Sequence, residues 1–234
     1  MAIQKGDFIK LSYTGKLESG AVFDTTDANT AKEFGIYNEQ ASYSPETVIV
    51  GKGYIVPGLD EELEGKEAGQ KGTVTIPPEK GFGVRRLDLI ETIPAKKFKE
   101  PVKPGMRVNV NNRTGVVEST AGGRVRVNFN SPLAGETLIY DYTVESIIEG
   151  KENKIAALLK MYTGRDMEHT IEGNRVVVEV PKEFTFNQRW QFAKSSIAAQ
   201  MMEFEGITDV VFQETFKKEE AAPKTEAAAE EKKE

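Results

Sequence analysis

Glycine is concentrated at the start of this chain, which limits the elements that the start can form. Twelve of the 21 glycines lie before residue 84 of the 234-residue sequence. They separate short apolar runs such as residues 8–13 (FIKLSY) and 72–76 (GTVTI). Glycine weakens helices and allows tight turns, whereas short runs of apolar, β-branched and aromatic residues between turns are typical of strands. We therefore predict an antiparallel sheet here.

One segment of this region has the pattern of a short helix. Residues 57–65 (PGLDEELEG) begin with proline, place Leu59 and Leu63 four residues apart, and end at glycine. Proline is favoured in the first turn of a helix, and glycine is favoured just after its last turn. The two leucines would lie on one face, so we expect this helix to pack on the sheet.

A second composition begins near Val84. Four residues, Pro94, Pro101, Pro104 and Gly105, interrupt any long element. Beyond them follow three strand-like runs, at residues 106–110, 114–118 and 124–129, and residues 121–123 (AGG) have the composition of a hairpin turn between the last two. The sequence predicts a small β unit with its own apolar face.

The pattern changes again near residue 150. A helical stripe of apolar residues is followed by two strands, at residues 167–171 and 175–180, with residues 172–174 (EGN) between them. A second stripe precedes a last strand at residues 209–212, and its members are Trp190, Ala193, Ile197, Met201 and Phe204. We predict an α/β domain over residues 150–216. Residues 217–234, rich in Ala, Glu and Lys, are expected to form a disordered tail.

Composition excludes several classes of function. The chain has no cysteine, so disulfides, thiol nucleophiles and thiolate metal sites are excluded, and the reducing cytoplasm is the expected compartment. His169 is the one histidine, and no phosphate-binding glycine loop is present, so we expect no metal and no nucleotide or other cofactor. No apolar run is long enough for a membrane span. A net charge of −6 argues against general nucleic-acid binding.

Four segments, in the same order, resemble the signature stretches of FKBP-type peptidyl-prolyl cis/trans isomerases. They are residues 13–24 (YTGKLESGAVFD), 50–60 (VGKGYIVPGLD), 75–83 (TIPPEKGFG) and 133–142 (LAGETLIYDY). The resemblance implies an α+β fold, in which an antiparallel sheet wraps around the short helix. It also implies that the chain accelerates rotation about prolyl peptide bonds.

The distance between the third and fourth segments is similar to that in the SlyD-like members. About fifty residues lie there, where simple FKBP domains have a short flap. The resemblance implies a domain inserted in the flap that captures unfolded polypeptide. We expect an isomerase domain at residues 1–84 and 137–149 and an insert at residues 85–136. The region after Gly150 is similar to the extension of long archaeal FKBPs.

An isomerase of this kind breaks no covalent bond. Amide resonance gives the prolyl bond a rotational barrier of about 18–20 kcal/mol. Because the rotated amide has less charge separation than the planar amide, an apolar pocket favours the transition state. By resemblance, the catalytic residues are Tyr13, Asp24 and Phe82. The substrate-binding residues by resemblance are Phe23, Ile55, Val56, Leu59, Leu133 and Tyr140.

The expected polar contacts are few. The resemblance implies that Asp24 interacts with the substrate carbonyl and is held by the hydroxyl of Tyr13. Because Tyr13 and Phe23 are symmetric about Glu18, a hairpin would bring Tyr13 beside Phe23 and Asp24. The backbone amide of Ile55 or Val56 would then hold the substrate chain.

Each of these assignments has a structural alternative. The apolar residues could form an ordinary β core, and Asp24 before two threonines could be a turn residue that bonds its own backbone. Two positions depart from many small FKBPs, since Leu59 replaces a tryptophan and Phe82 replaces a tyrosine. The loss of that tyrosine hydroxyl puts macrolide binding in doubt more than catalysis.

Two other functions remain open from the sequence. The protein could be a holding chaperone whose prolyl pocket has little activity. Alternatively, residues 84–137, with ten Lys/Arg against five Asp/Glu, could dock on RNA or the ribosome. Unfolded or proline-containing polypeptides are the expected partners, and we also expect a homodimer formed through the C-terminal domain.

Overall fold

The computed structural model describes residues 1–216, so the predicted tail at residues 217–234 lies outside the described residues. The chain divides into two compact units, Met1–Glu149 and the part from Gly150 onward. The strands are β1 (Phe8–Leu17), β2 (Val22–Thr25), β3 (Glu46–Ile49), β4 (Lys71–Ile76), β5 (Ile90–Pro94), β6 (Arg107–Val110), β7 (Arg113–Ala121), β8 (Arg124–Asn128), β9 (Leu138–Ile148), β10 (His169–Glu172), β11 (Arg175–Glu179) and β12 (Asp209–Gln213). The α-helices are α1 (Ala28–Glu33), α2 (Pro57–Leu63), α3 (Lys151–Thr163) and α4 (Gln188–Met202). Within residues 1–216, no helix has the length and apolar character that crossing a membrane requires.

The first unit contains an antiparallel sheet in the order β2-β1-β9-β4, and β3 pairs with the other part of β1. Helix α2 packs on this sheet through Leu59 and Leu63, both fully buried. The approach is close because Gly58 has no side chain. A Cβ there would lie 2.5 Å from Cγ2 of Ile76 on β4. The predicted sheet and helix are therefore confirmed.

A second, four-stranded antiparallel sheet in the order β5-β8-β7-β6 lies between β4 and β9 in the chain. Its buried core is small, and comprises Ile93, Val117, Val125 and Val127. The predicted AGG hairpin is confirmed, because Gly122 and Gly123 join β7 to β8, both with positive φ. Asn111 and Asn112 form the equivalent turn between β6 and β7. Strand β5 was not predicted, because its sequence lies beside the prolines that we expected to interrupt regular elements.

The base of the inserted sheet is closed by hydrogen bonds between its two connections. The N–H of Gly135 donates to the carbonyl of Gly83 at 2.8 Å. The side chain of Asn130 both accepts from the N–H of Arg86 and donates to its carbonyl, each at 2.9 Å. The chain therefore leaves the first sheet and returns to it at adjacent points.

The second unit contains a three-stranded sheet, β10-β11-β12, in which β11 and β12 are parallel. The side chain of Asn187 caps α4 by accepting from the N–H of Trp190 at 3.1 Å. Three members of the predicted helical stripe, Trp190, Ile197 and Met201, are buried. The ring of Trp190 packs edge-on against Phe212 of β12, with ring centroids 5.1 Å apart. The predicted α/β pattern of this unit is confirmed.

Candidate functional site

Four aromatic rings, contributed by separate parts of the first unit, form one wall. Tyr13 lies on β1, Phe23 on β2 and Tyr140 on β9, while Phe82 lies in the turn after β4. The ring of Tyr140 lies edge-on to those of Tyr13 and Phe23, with centroids 5.7 Å apart in both pairs. Phe82 lies edge-on to Phe23 at 6.1 Å and remains 39% exposed. The wall is thus buried at Tyr140 and open at Phe82.

Gly15 makes room for this wall. A Cβ at Gly15 would lie 2.7 Å from Cζ of Phe23 and 3.0 Å from Cε1 of Tyr140. Its backbone pairs with Asp24 on one side and with Tyr140 on the other. An L residue larger than glycine would therefore displace both rings.

The predicted hairpin register is corrected by the structure. Symmetry about Glu18 would put Tyr13 opposite Phe23, but β1 pairs Gly15 with Asp24 and Lys16 with Val22. Phe23 is the additional residue of a β-bulge, while Tyr13 is level with Thr26, whose N–H donates to the Tyr13 carbonyl at 3.0 Å. A bulge adds one residue to one strand and redirects its neighbours. Tyr13 still reaches Asp24, although the two are not directly opposite.

The residues that we predict to form the floor of the pocket lie on α2 and in the loop before it. Leu59 is buried, and Ile55 and Val56 are partly buried against the same core. The backbone N–H groups of Ile55 and Val56 donate to no acceptor among residues 1–216. Both amides are therefore available to a bound chain.

Asp60 holds that loop in place. Its side chain is 8% exposed, and it accepts from the N–H of Gly51 at 2.9 Å and of Gly53 at 3.4 Å. Both glycines have positive φ, which residues with a side chain rarely adopt. We did not anticipate Asp60 from the sequence, because an aspartate in the first turn of a helix is ordinarily explained by the helix dipole.

The polar part of the site is a group of three side chains. The hydroxyl of Tyr13 lies 3.1 Å from Oδ2 of Asp24 and 3.3 Å from Oε2 of Glu46, the first residue of β3. Burial, followed by the charges of Glu46 and Asp24, raises the pKa of Tyr13. Tyr13 therefore stays protonated at neutral pH and acts as a donor. The contact between Tyr13 and Asp24 is the one that the resemblance implies.

Glu46 was not predicted as a site residue. It is exposed as a whole residue, but partial burial of its carboxyl group raises the pKa of Glu46, and the charge of Asp24 raises it further. The hydrogen bond from Tyr13 opposes this effect. A glutamate at the start of a strand carries no sequence signal for such a position, since charged residues there are usually solvated.

Leu133 is the one predicted site residue that is not placed against this wall. It lies half-buried in the turn of residues 131–136, where its carbonyl accepts from the N–H of Glu136 at 3.2 Å. The apolar residues that pack on the core beneath the pocket include Phe23, Ile55 and Val56 but not Leu133. Its role in substrate binding stays a prediction.

The site combines apolar groups with a few hydrogen-bonding groups. Within residues 1–216, no three His, Asp or Glu side chains lie together in a way that could hold a metal. The arrangement offers an aromatic wall, an aliphatic floor, two available amides and a hydroxyl–carboxylate group. These features can hold a planar or twisted amide, and the raised pKa of Tyr13 makes its hydroxyl a hydrogen-bond donor rather than a nucleophile.

Three family models match parts of this chain. Residues 1–99 match the family model for FKBP-type peptidyl-prolyl cis-trans isomerase. Residues 91–133 match the model of the FKBP26 IF domain, and residues 151–217 match that of the FKBP26 C-terminal region.

Individual relatives match about two thirds of this chain. The short-type peptidyl-prolyl cis-trans isomerase of Methanocaldococcus jannaschii is 36% identical over 149 residues, which are 62% of this chain and 94% of that protein. The FKBP-type isomerase SlyD of Treponema pallidum is 30% identical over 165 residues, or 68% of this chain and 86% of the relative. SlyD of Vibrio cholerae is 32% identical over 162 residues, or 67% and 74%. The chain therefore belongs to the FKBP-type peptidyl-prolyl cis-trans isomerases, as a SlyD-like member of the long type.

Proposed function

We propose that the aromatic wall and the Leu59 floor accelerate prolyl isomerisation by holding the proline in a water-poor pocket. Uncatalysed exchange takes tens to hundreds of seconds because rotation abolishes amide resonance. The twisted amide is less polar than the planar one, so an apolar site lowers the barrier. The observation that carries this proposal is the cluster of Tyr13, Phe23, Phe82 and Tyr140, in which the missing side chain of Gly15 makes room for two of the rings.

The polar groups would position the substrate chain. The available amides of Ile55 and Val56 can donate to a substrate carbonyl. Asp24, oriented by Tyr13 at 3.1 Å, can interact with the carbonyl carbon of the twisted bond. In this proposal Asp24 and Tyr13 act through position and charge, with no proton transfer.

We further propose that the inserted sheet holds unfolded polypeptide next to the pocket. Large apolar side chains remain exposed in and next to it, with Leu87 76%, Val84 50% and Met106 42% exposed. Exposed apolar patches are typical of surfaces that bind other chains. The closed base at Gly83 and Gly135 keeps this surface attached beside the sheet that carries the pocket.

RNA docking by the insert is less well supported. Four of its basic residues are in ion pairs, because Arg85 and Arg126 contact Glu118, Arg86 contacts Asp88, and Arg113 contacts Glu91. Arg113 also lies over the ring of Phe129 at 4.2 Å. These pairs reduce the positive charge that the insert presents to a phosphate backbone.

The first experiment measures cis–trans exchange of a short Xaa-Pro peptide by NMR. We expect acceleration by the native protein and a fall of about 10- to 100-fold in kcat/KM for Asp24→Asn, because a hydrogen bond to a charged group contributes about 1.5–3 kcal/mol. Suppression of aggregation of an unfolded protein should be unchanged in Asp24→Asn. A native protein that suppresses aggregation without accelerating exchange would instead be a holding chaperone.

We also propose that the second unit forms the homodimer. Phe186, just before α4, and Phe192, within it, are 93% and 84% exposed, whereas Trp190, Ile197 and Met201 of the same helix are buried. Association would bury these rings. We expect light scattering to give twice the chain mass for the native protein and the monomer mass for Phe192→Glu. A native monomer at high concentration would contradict this proposal.

A further inference from the structure

The prolyl pocket has two carboxylates at its rim, both within reach of one hydroxyl. Tyr13 lies 3.1 Å from Asp24 and 3.3 Å from Glu46. A tyrosine hydroxyl has a single hydrogen to donate, so it can satisfy only one of the two carboxylates at a time. The other carboxylate is then open to a donor from a bound substrate.

In the part of the chain that the structure describes, no ion pair neutralises these two carboxylates. Among residues 1–216, neither Asp24 nor Glu46 forms an ion pair with a lysine or arginine. The ammonium group of Lys10, on the neighbouring strand, donates instead to the hydroxyl of Thr47 at 2.7 Å. Three ionisable groups interact electrostatically with Glu46. They are Asp24 of β2, Tyr13 of β1 and Tyr140 of β9. All of them are acids.

Both carboxylates are reachable from solvent. Asp24 and Glu46 are exposed residues at the rim, while the rings of the wall lie below them. A lysine or arginine side chain is long and flexible, and could contact the rim while the neighbouring proline occupies the apolar pocket. An acidic side chain in that position would be repelled.

We propose that Glu46 is a specificity-determining residue of the isomerase, which with Asp24 favours substrates that carry a lysine or arginine beside the proline. This inference rests on the proposed function of the pocket. It concerns the charge at the rim. It is therefore tested by the ratio of the rates on basic and acidic peptides, and not by the rate on a neutral one.

The test compares matched peptides that have Lys, Gln or Glu either before or after the proline. Three proteins are compared, namely the native protein, Glu46→Gln and the control Glu39→Gln. The control removes the charge of an exposed glutamate that forms no ion pair within residues 1–216. We expect the native protein to prefer Lys over Glu by about fivefold in kcat/KM at one of the two positions, the upper range for an exposed ion pair. The preference should fall to about twofold in Glu46→Gln, persist in Glu39→Gln, and weaken in about 0.5 M salt.

The neutral peptide separates the two proposals. The rate of each protein on the glutamine peptide is the reference to which its Lys and Glu rates are normalised, and thermal unfolding shows whether Glu46→Gln is folded. Glu46→Lys should reverse the preference in favour of the acidic peptide. An unchanged Lys-to-Glu ratio in both Glu46 variants would overturn the inference and leave the isomerase intact, whereas a native protein inactive on the glutamine peptide would overturn both.

Acidification gives an independent readout. Because burial and the charge of Asp24 raise the pKa of Glu46, its charge is lost at a higher pH than that of an ordinary glutamate. As the pH is lowered, the Lys preference of the native protein should therefore begin to fall at a pH above the usual pKa of glutamate. Glu46→Gln should not show this fall. Identical pH profiles of the preference in both proteins would count against the inference.

Discussion

Gly15→Ala is expected to lower kcat/KM for a short prolyl peptide by about 10- to 100-fold, because small displacements of positioning groups have effects of this size. The new Cβ would lie 2.7 Å from Phe23 and 3.0 Å from Tyr140, so both rings of the wall must move. The backbone is not the obstacle, since Gly15 has no positive φ. NMR exchange of the peptide measures the loss, and thermal unfolding shows whether the fold is retained.

Gly115→Ala is the matched control for this prediction. Its Cβ would also lie 2.7 Å from a neighbour, Cγ1 of Val127, but that conflict is in the inserted sheet. We expect its peptide rate to stay within about twofold of native, since substitutions away from the reacting groups rarely affect chemistry. Native activity of Gly15→Ala would show that the wall is not the catalytic surface.

Replacing residues 85–134 with a short glycine-containing turn is expected to separate two activities. The hydrogen bond between Gly135 and Gly83 keeps the ends of the insert adjacent, so a short turn can close the first sheet. We expect the exchange rate of a short peptide to remain within about threefold. Refolding limited by a prolyl bond should slow by about 100-fold, because the insert no longer raises the local concentration of the unfolded chain.

The measurement is the refolding rate of a proline-limited protein at several enzyme concentrations. The control is Gly15→Ala, which keeps the insert and should lose both activities. If the shortened protein catalysed refolding as well as the native chain does, the insert would have no holding role. If peptide activity and refolding activity were lost equally, damage to the pocket would explain the slower refolding, and the result would not support a holding role.

The parts of the fold that could be predicted are those that depend on local pattern. The helix of Leu59 and Leu63, the Gly122–Gly123 hairpin turn and the buried stripe of Trp190, Ile197 and Met201 all follow from periodicity and turn chemistry. The meeting of Tyr13 with Asp24 was implied by the family resemblance. In each of these features, the type of residue at each place is one that the local structure or the family motif requires.

The parts that could not be predicted depend on contacts distant in sequence. The β-bulge at Phe23 is invisible to a symmetric count along the hairpin. Strand β5 exists because it pairs with β8, more than thirty residues later. Glu46 reaches Tyr13, which lies 33 residues earlier, only because β3 and β2 flank the same strand β1. A single sequence contains no local sign of any of these.

The sheet order has a consequence for how the chain is made. Strand β9 lies between β1 and β4, although it is the last strand of the first unit to leave the ribosome. Until β9 emerges, β1 and β4 each lack a neighbour on one side, whereas all four strands of the inserted sheet have already been synthesised. Domains fold as units while the polypeptide is still growing. Synthesis from the N-terminus therefore lets the inserted sheet fold before the sheet that surrounds it, so the surface proposed to hold unfolded polypeptide forms before the proposed prolyl pocket.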